Sequence, residues 1–545
     1  MNIRRVSIIT LCLAASLAIC WCTSPVSAQS PTPAEETVNL WNLAKRKAPI
    51  HRFSTIVTAE DVRDRLSDES GLDAAIDWCK NTAVTKVYLA TFCSGYQAKR
   101  ESLLHAKQRL QAAGLEVSGA VVTISVGKPS TGWRLVSCYT DLPTQEKLQR
   151  IFEYAAGLFD EIMIDDFWFT DCTCSECDAA RRAKTVKIGD RVYPVPGDTW
   201  EDYRAELMVH LSRDRVLGAA KRVNPKVRLI IKYPQWYDDF HKRGYQVLRQ
   251  TADFDRIWVG TETRDYTDPK KGIMGGTPQY EAYFIMRWLG GIGGTKCGGG
   301  WYDPFNTTEQ TYLEQARQTV LGGARETMLC NYGGMLVNTG PRNIEALRRN
   351  IPQLLGVAEE VRRREIVGVA AYKPVNSHPR EATRHEAEWR VFSFVGMLGL
   401  PLVPCHEFPA EAKAAFFSIH ALKDPDLRGK LSAFIASGKP VLLTDGLARR
   451  LDGKMDLSAA NVRVLPVKGD PPSLLELPTE ELNALRAAIL PSLGHTFRAP
   501  NRVALYLFTD GSWVIENFND KSVDVELDGS SRMIAARGWL LQWNR

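Results

Sequence analysis

The segment from Ile162 to Cys177, IMIDDFWFTDCTCSEC, brings three kinds of reactive group together. An apolar run ends in Asp165 and Asp166, aromatic residues follow, and Cys172, Cys174 and Cys177 close it in a C-x-C-x-x-C spacing. Paired carboxylates across a cleft suit the cleavage of a glycosidic bond. One supports or attacks the oxocarbenium-like centre, and the other protonates the leaving oxygen. Three thiolates at the observed spacing can take three corners of a tetrahedral zinc site, and a fourth thiolate would close it. Cys138 is the expected fourth ligand, because it lies in the loop after the preceding strand. A disulfide between two of the three clustered cysteines is the alternative. A closed four-cysteine site leaves no open position, so its zinc would be structural and would brace a loop.

These groups need a frame to position them. From about residue 50 to 335, strand-like and helix-like segments alternate eight times, from RFSTIVTA at 52–59 to TMLCNYG at 327–333. Alternation of this kind means parallel strands with crossover helices. Eight such units in about 300 residues predict a TIM barrel, an α/β fold. An open doubly wound sheet is the alternative, but no G-x-G-x-x-G or P-loop follows the first strand. No organic cofactor is expected.

Catalytic groups in a TIM barrel project from the C-terminal ends of its strands. Those ends carry Asp165 and Asp166 on strand 4 and Lys232 on strand 5, with Trp236 after it. Strand 6 gives Glu262 and Arg264, strand 7 gives Trp301, Tyr302 and Asp303, and strand 8 gives Asn331. Neighbouring side chains in a strand point to opposite faces. Asp165 and Asp166 are therefore not expected to form the acid and nucleophile pair between themselves. Asp166 is expected to reach the mouth, with Asp165 orienting it or binding a sugar hydroxyl. Glu262 is the candidate acid/base and Asp303 its competitor. Lys232 and Arg264 are expected to hold substrate hydroxyls or to tune a carboxylate by their charge. Trp236, Trp301, Tyr302 and Asn331 complete the expected substrate-binding set.

The chain has 545 residues, 44% apolar and 24% charged, which is ordinary globular composition. A net charge of +6 without a basic block gives no support for nucleic-acid binding. Arg4 and Arg5 precede an apolar run from Val6 to Cys22, and SPVSA then offers Val26 and Ala28 before a cut at Gln29. This predicts a signal peptide over 1–28 and a secreted or periplasmic protein. A membrane anchor is the alternative, with the shortness of the run against it. A lipid-modified Cys20 is disfavoured by the bulk of Ile19. No later run is long enough to span a bilayer, so the mature chain is expected to be soluble. Nine of the twelve cysteines lie beyond the signal, an odd and uneven set unlike a disulfide scaffold.

The expected organisation is a linker at 29–49, the barrel at 50–365, a small α/β domain at 366–455 and an antiparallel β domain at 456–545. The α/β domain is read from two strands, IVGVAAY and KPVLLTD, with helical WRVFSFVGMLGL and LRGKLSAFIASG between them. The β domain is read from short strands joined at Asp-Gly and Asn-Asp turns.

The domain order, the C-x-C-x-x-C cluster after strand 4 with an earlier cysteine, and the closing stretch WVIENFNDKSVDVEL resemble the glycoside hydrolase family 42 β-galactosidases. That resemblance implies a barrel, a glutamine-amidotransferase-like trimerisation domain, a small β domain, and zinc on Cys138, Cys172, Cys174 and Cys177. It also implies a carbohydrate substrate and a homo-oligomer, a trimer. The sequence departs from that family at strand 4, where the family has Asn-Glu and this chain has Asp165-Asp166. It departs again at strand 7, which offers Asp303 in place of a glutamate. IDDFWF is more similar to barrels in which a strand-4 Asp is the nucleophile and a strand-6 acid the proton donor. Three functions follow as expectations: a secreted glycoside hydrolase, a non-catalytic carbohydrate-binding protein on a degenerate barrel, and a zinc hydrolase. The closed thiolate set argues against the third.

Overall fold

The eight apolar runs form eight parallel strands in the computed structural model, which describes residues 33–264, 277–379 and 387–545. They are β1 (Arg52–Val57), β2 (Val84–Cys93), β3 (Glu116–Val121), β4 (Glu161–Ile164), β5 (Arg228–Tyr233), β6 (Arg256–Gly260), β7 (Cys297–Tyr302) and β8 (Glu326–Asn331). Each strand pairs in parallel with its sequence neighbour, and β1 pairs with both β2 and β8, so the sheet closes into a barrel. Strands covered on both faces read as continuous apolar runs. Accordingly β2, VTKVYLATFC, is buried at every position. The crossover helices carry strong start signals. Asp68 caps Glu69–Asn81, Asp141 caps Leu142–Ala156, and Thr308 forms a capping box at the head of Glu309–Leu321. Each such cap contributes about 1 kcal/mol. The expected export signal at 1–28 lies outside the described residues.

Residues 33–47, expected within a linker, form a helix instead. Its first turn is acidic and its last turn basic, which suits the helix dipole. Leu40 and Ala44, four residues apart, are buried on one face. That face packs on helices Glu69–Asn81 and Gly340–Arg362, and Lys47 ion-pairs with Glu359.

The second layer is a five-stranded parallel sheet, not a pair of strands. It comprises β9 (Val369–Tyr372), β10 (Leu402–Cys405), β11 (Ala415–Phe417), β12 (Val441–Thr444) and β13 (Val462–Leu465), in the order β10-β9-β11-β12-β13. The three strands missing from the sequence reading are three or four residues long. Ala415–Phe417, the shortest, is too short for periodicity to mark it. β13 carries this sheet past the expected boundary at 455. IVGVAAY also divides in two. Ile366–Val367 pairs antiparallel with the C-terminal sheet, and only Val369 onward joins the parallel one. Gly368 lies at the division, where a Cβ would sit 2.0 Å from the Pro401 carbonyl oxygen, so only glycine fits.

The C-terminal strands β14 (Val503–Phe508), β15 (Trp513–Asn517), β16 (Val523–Leu527), β17 (Ser530–Ile534) and β18 (Trp539–Gln542) are antiparallel. The helix Glu281–Gly293, which follows β6, joins the barrel to the second layer. Phe284 stacks on Phe392 with centroids 4.7 Å apart, and the Trp288 indole N–H donates to the Lys373 carbonyl at 2.9 Å. This contact holds the second layer over the rim of the barrel.

Candidate active site

A cavity of ≈ 1240 Å³ opens at the C-terminal ends of the barrel strands. Most of the residues expected to do chemistry line it: Asp165, Asp166, Lys232, Trp236, Glu262, Arg264, Trp301, Asp303 and Asn331. Both Asp165 and Asp166 reach it, contrary to the expectation from strand alternation. β4 ends at Ile164, so the pleat no longer dictates direction at the two following residues. Tyr302 does not reach it. It belongs to the outward-facing set of β7 and is fully buried, with its ring edge-on to Tyr312 of the helix Glu309–Leu321 at 5.0 Å. Trp301 and Asp303 on either side of it point inward, as a period of two requires.

Four of the carboxyl groups that line this cavity, Asp165, Asp166, Glu262 and Asp303, surround two of its cations, Lys232 and Arg264. Lys232, buried on β5, ion-pairs with Asp165, and its ammonium lies 3.9 Å from Asp166 and 3.9 Å from the centre of the Trp301 ring. Arg264 forms a two-pronged pair with Asp303, Nη2 to Oδ2 at 2.7 Å and Nε to Oδ1 at 3.2 Å. It also reaches Glu262 Oε2 at 3.2 Å. The other Glu262 oxygen accepts the Trp301 indole N–H at 2.8 Å. Two carboxyls therefore lack a cation of their own, and their proton affinities follow. Burial and then the negative charge of Asp165 push Asp166 well above the carboxylate range. Burial would raise Asp165 too, but Lys232 overrides it and holds Asp165 below its usual value. The two titrate as one dyad that holds a single negative charge near neutrality, carried on Asp165. Burial raises Glu262 to about 7, with Arg264 pulling it down and Asp303 pushing it up. The site thus separates an ionised acid from a proton-holding one, as acid–base chemistry demands. Arg264, four residues past β6, and Cys330, near the end of β8, hold φ of 29° and 34°. Such strained backbone concentrates at functional sites.

The walls include residues that sequence reasoning missed. Trp133, from the loop after β3, stacks near Phe169 at 5.8 Å and contacts Phe167 at 5.5 Å. Arg243 lies over the Trp236 and Phe169 rings at 4.6 and 4.8 Å. Trp389 reaches the cavity from the second layer. The aromatic content of the loop STGWRLVS was a usable signal for Trp133. Nothing in the sequence ties Trp389 to a barrel whose last helix ends at Arg362. Asn331 lines the cavity, but its side-chain oxygen accepts the Gly334 amide and caps the helix Tyr332–Met335.

Beside this wall, Cys138, Cys172, Cys174 and Cys177 converge with all four sulfurs within 4.8 Å of one another. The Cys138–Cys174, Cys138–Cys177 and Cys174–Cys177 separations are 3.8, 3.6 and 3.6 Å. A tetrahedron with metal–sulfur bonds of about 2.3 Å has edges of about 3.8 Å, so the thiol set has the dimensions of a zinc site. All four are free thiols. Asp171, between the cysteines and the aromatics, accepts the Trp133 amide at 2.8 Å and the Ser130 hydroxyl at 2.5 Å. The cysteine loop therefore fixes the loop that carries Trp133.

A family described as "probable glycosyl hydrolase, catalytic domain" matches residues 36–349, a span that contains all eight barrel strands. The chain belongs to this glycosyl hydrolase family. An uncharacterized protein of Saccharolobus solfataricus is 27% identical over 384 residues, 64% of this chain and 59% of that relative. The chain thus spans about three-fifths of the length of the curated relative it matches. Among solved structures, α-L-fucosidase isoenzyme 2 from Paenibacillus thiaminolyticus superposes on this glycosyl hydrolase with a TM-score of 0.61 at 10% identity. The match covers 91% of this chain and 99% of that one. An exo-β-1,4-mannosidase from an Opitutaceae bacterium covers 89% and 91% at 11% identity, with a TM-score of 0.44. At these identities the fucosidase likeness establishes the barrel fold of this glycosyl hydrolase and its order of layers, while the carboxylate site belongs to this chain's own geometry.

Proposed function

We propose that the protein hydrolyses O-glycosidic bonds of an oligo- or polysaccharide. The observation that carries this reading is the pairing of an ionised Asp165 dyad with a Glu262 that holds its proton to about pH 7, inside one aromatic-walled cavity. The dyad charge, set by Lys232, stabilises the oxocarbenium-like centre from the β4 side. Glu262 gives its proton to the leaving oxygen, with the Trp301 indole and Arg264 fixing its two oxygens. Asp303 holds Arg264 and is a positioning residue. Trp133, Trp236 and Trp389 offer apolar faces to a sugar ring.

The set of four cysteines supports structural zinc at the wall, where the ion would brace the loop and supply no chemistry to the substrate. The layer order supports a place beside the family 42 β-galactosidases, but the Asp-Asp of β4 gives no ground for carrying galactose across. Export and trimeric self-association complete the proposal. A mature N-terminus at Gln29 and the mass in solution test these two.

The central test is a glycan and aryl-glycoside panel run on the protein and on E262Q, D165N and D166N. E262Q should lose turnover of substrates with poor leaving groups and keep more of it on activated aryl glycosides, which need no proton. Unchanged turnover in all three variants would sink the assignment. Binding without turnover in the unaltered protein would point to the carbohydrate-binding alternative.

A further inference from the structure

A second cluster of ligating side chains lies outside the carboxylate site. Glu201 is in the first turn of the helix Trp200–Leu211, which follows the β4 insertion. His241 is in the segment after β5, and His378 is in the loop after β9. Three separate chain segments, two of the barrel and one of the second layer, thus place a carboxylate and two imidazoles with their ligand atoms all within 4.8 Å of one another. Glu201 Oε1 is 3.6 Å from His241 Nε2, and Glu201 Oε2 is 3.5 Å from His378 Nε2. The imidazole rings lie 4.0 Å apart, tilted by 45°.

These spacings suit a shared ion better than direct hydrogen bonds. Donor atoms bound to one tetrahedral zinc at about 2.0–2.1 Å stand about 3.3–3.4 Å apart. A direct charge-assisted bond would close to about 2.7–2.9 Å. His241 adds an independent sign. It is 5% exposed, and among the described residues neither of its ring nitrogens has a hydrogen-bond partner. An imidazole buried without partners carries an uncompensated desolvation cost. A metal bond would offset that cost.

We propose that Glu201, His241 and His378 form a binding site for a divalent transition-metal ion of the zinc class, which clamps the second layer to the barrel mouth. Two imidazoles and a carboxylate are ligands suited to zinc and leave a fourth position. Glu201 and His378 are each 41% exposed at the side chain, so the ion enters from solvent. The clamp acts on the cavity wall. The segment bearing His241 also carries Trp236 and Arg243, both of which line the cavity. This site shares no ligand with the four cysteines and does not depend on the hydrolase reading.

The test is metal content and spectroscopy on the full chain, with E201Q and H378A as variants because both residues are partly exposed. After equilibration with buffered Zn2+, each variant should hold one equivalent less zinc per chain than the unaltered protein. That difference holds whatever the cysteine site contains. With Co2+ as the probe, H378A should lose visible absorption from the nitrogen–oxygen site and keep any thiolate-to-cobalt bands. Equal zinc content in all three proteins, or a variant that loses only thiolate bands, would overturn the proposal.

Discussion

Removing the cation at Lys232 tests the charge arrangement directly. Lys232 is 3% exposed at its side chain and Asp165 14%, so solvent screens the pair little. K232M keeps much of the volume over the Trp301 ring and deletes the charge. It leaves Asp165, Asp166 and Glu262 with Arg264 as the remaining cation, and Arg264 is already held by Asp303. Removing one partner of a buried pair costs about 3–5 kcal/mol, because the other charge is stranded. Asp165 has a depressed pKa in the folded protein, so its contribution is present above the unfolded carboxylate value and lost as pH falls through the folded one. The deficit of K232M should therefore be largest at neutral pH and should shrink as pH falls toward 4, because burial without Lys232 raises the stranded carboxyl and it takes up a proton above the usual carboxylate range. Urea unfolding followed by tryptophan fluorescence at pH 4 and pH 7 measures this. K232M/D165N, with both charges removed, should recover most of the loss at pH 7. A deficit under about 1 kcal/mol at pH 7, or one that does not change with pH, would refute the buried ion pair as the organiser of the site.

Four other outcomes are expected. The kcat/KM profile on an unactivated glycoside should fall as pH rises through about 7, where Glu262 loses its proton, and E262Q should lack this limb. Burial raises Glu281 and Glu388 to about 7 and Glu516 to about 8, so their contribution to stability is full below about pH 4.5 and is lost as pH rises through those values. Urea midpoints should accordingly drop between about pH 4.5 and pH 8. C174S should lower bound zinc, speed proteolysis between 128 and 177, and raise KM more than it lowers kcat, because the Trp133 wall loosens while the acids stay in place. Y302F should leave KM and kcat unchanged in the same assay, since its ring lies outside the barrel.

The barrel was legible because most of its strands are apolar runs closed by a polar residue. In β4 and β6 those closing residues, Asp165–Asp166 and Glu262, are the ones that reach the cavity. The cysteine cluster was legible because C-x-C-x-x-C is local, and only its partner Cys138 required the loops of β3 and β4 to adjoin. Direction at a strand end was not legible. Alternation predicts opposite faces for Asp165 and Asp166, yet it lapses one residue past Ile164, and it governs Tyr302, which was expected in the mouth. A strand as short as Ala415–Phe417 carries no period at all, so the middle of the second sheet was invisible. Which acid keeps its proton depends on the placement of Lys232 and Arg264 in space, and no spacing in the chain encodes that.

The contribution of Trp389, Gly469 and Pro471 to the cavity has a consequence for how such a protein can change. The acids stand on strands whose register is fixed by barrel closure. These wall residues hang from a neighbouring layer with its own sheet and its own tolerance for insertion. Part of the cavity wall is therefore carried on a different scaffold from the acids. A lineage, or an engineer, can recut the shape of the accepted molecule in the overhanging layer and leave the proton chemistry beneath it untouched.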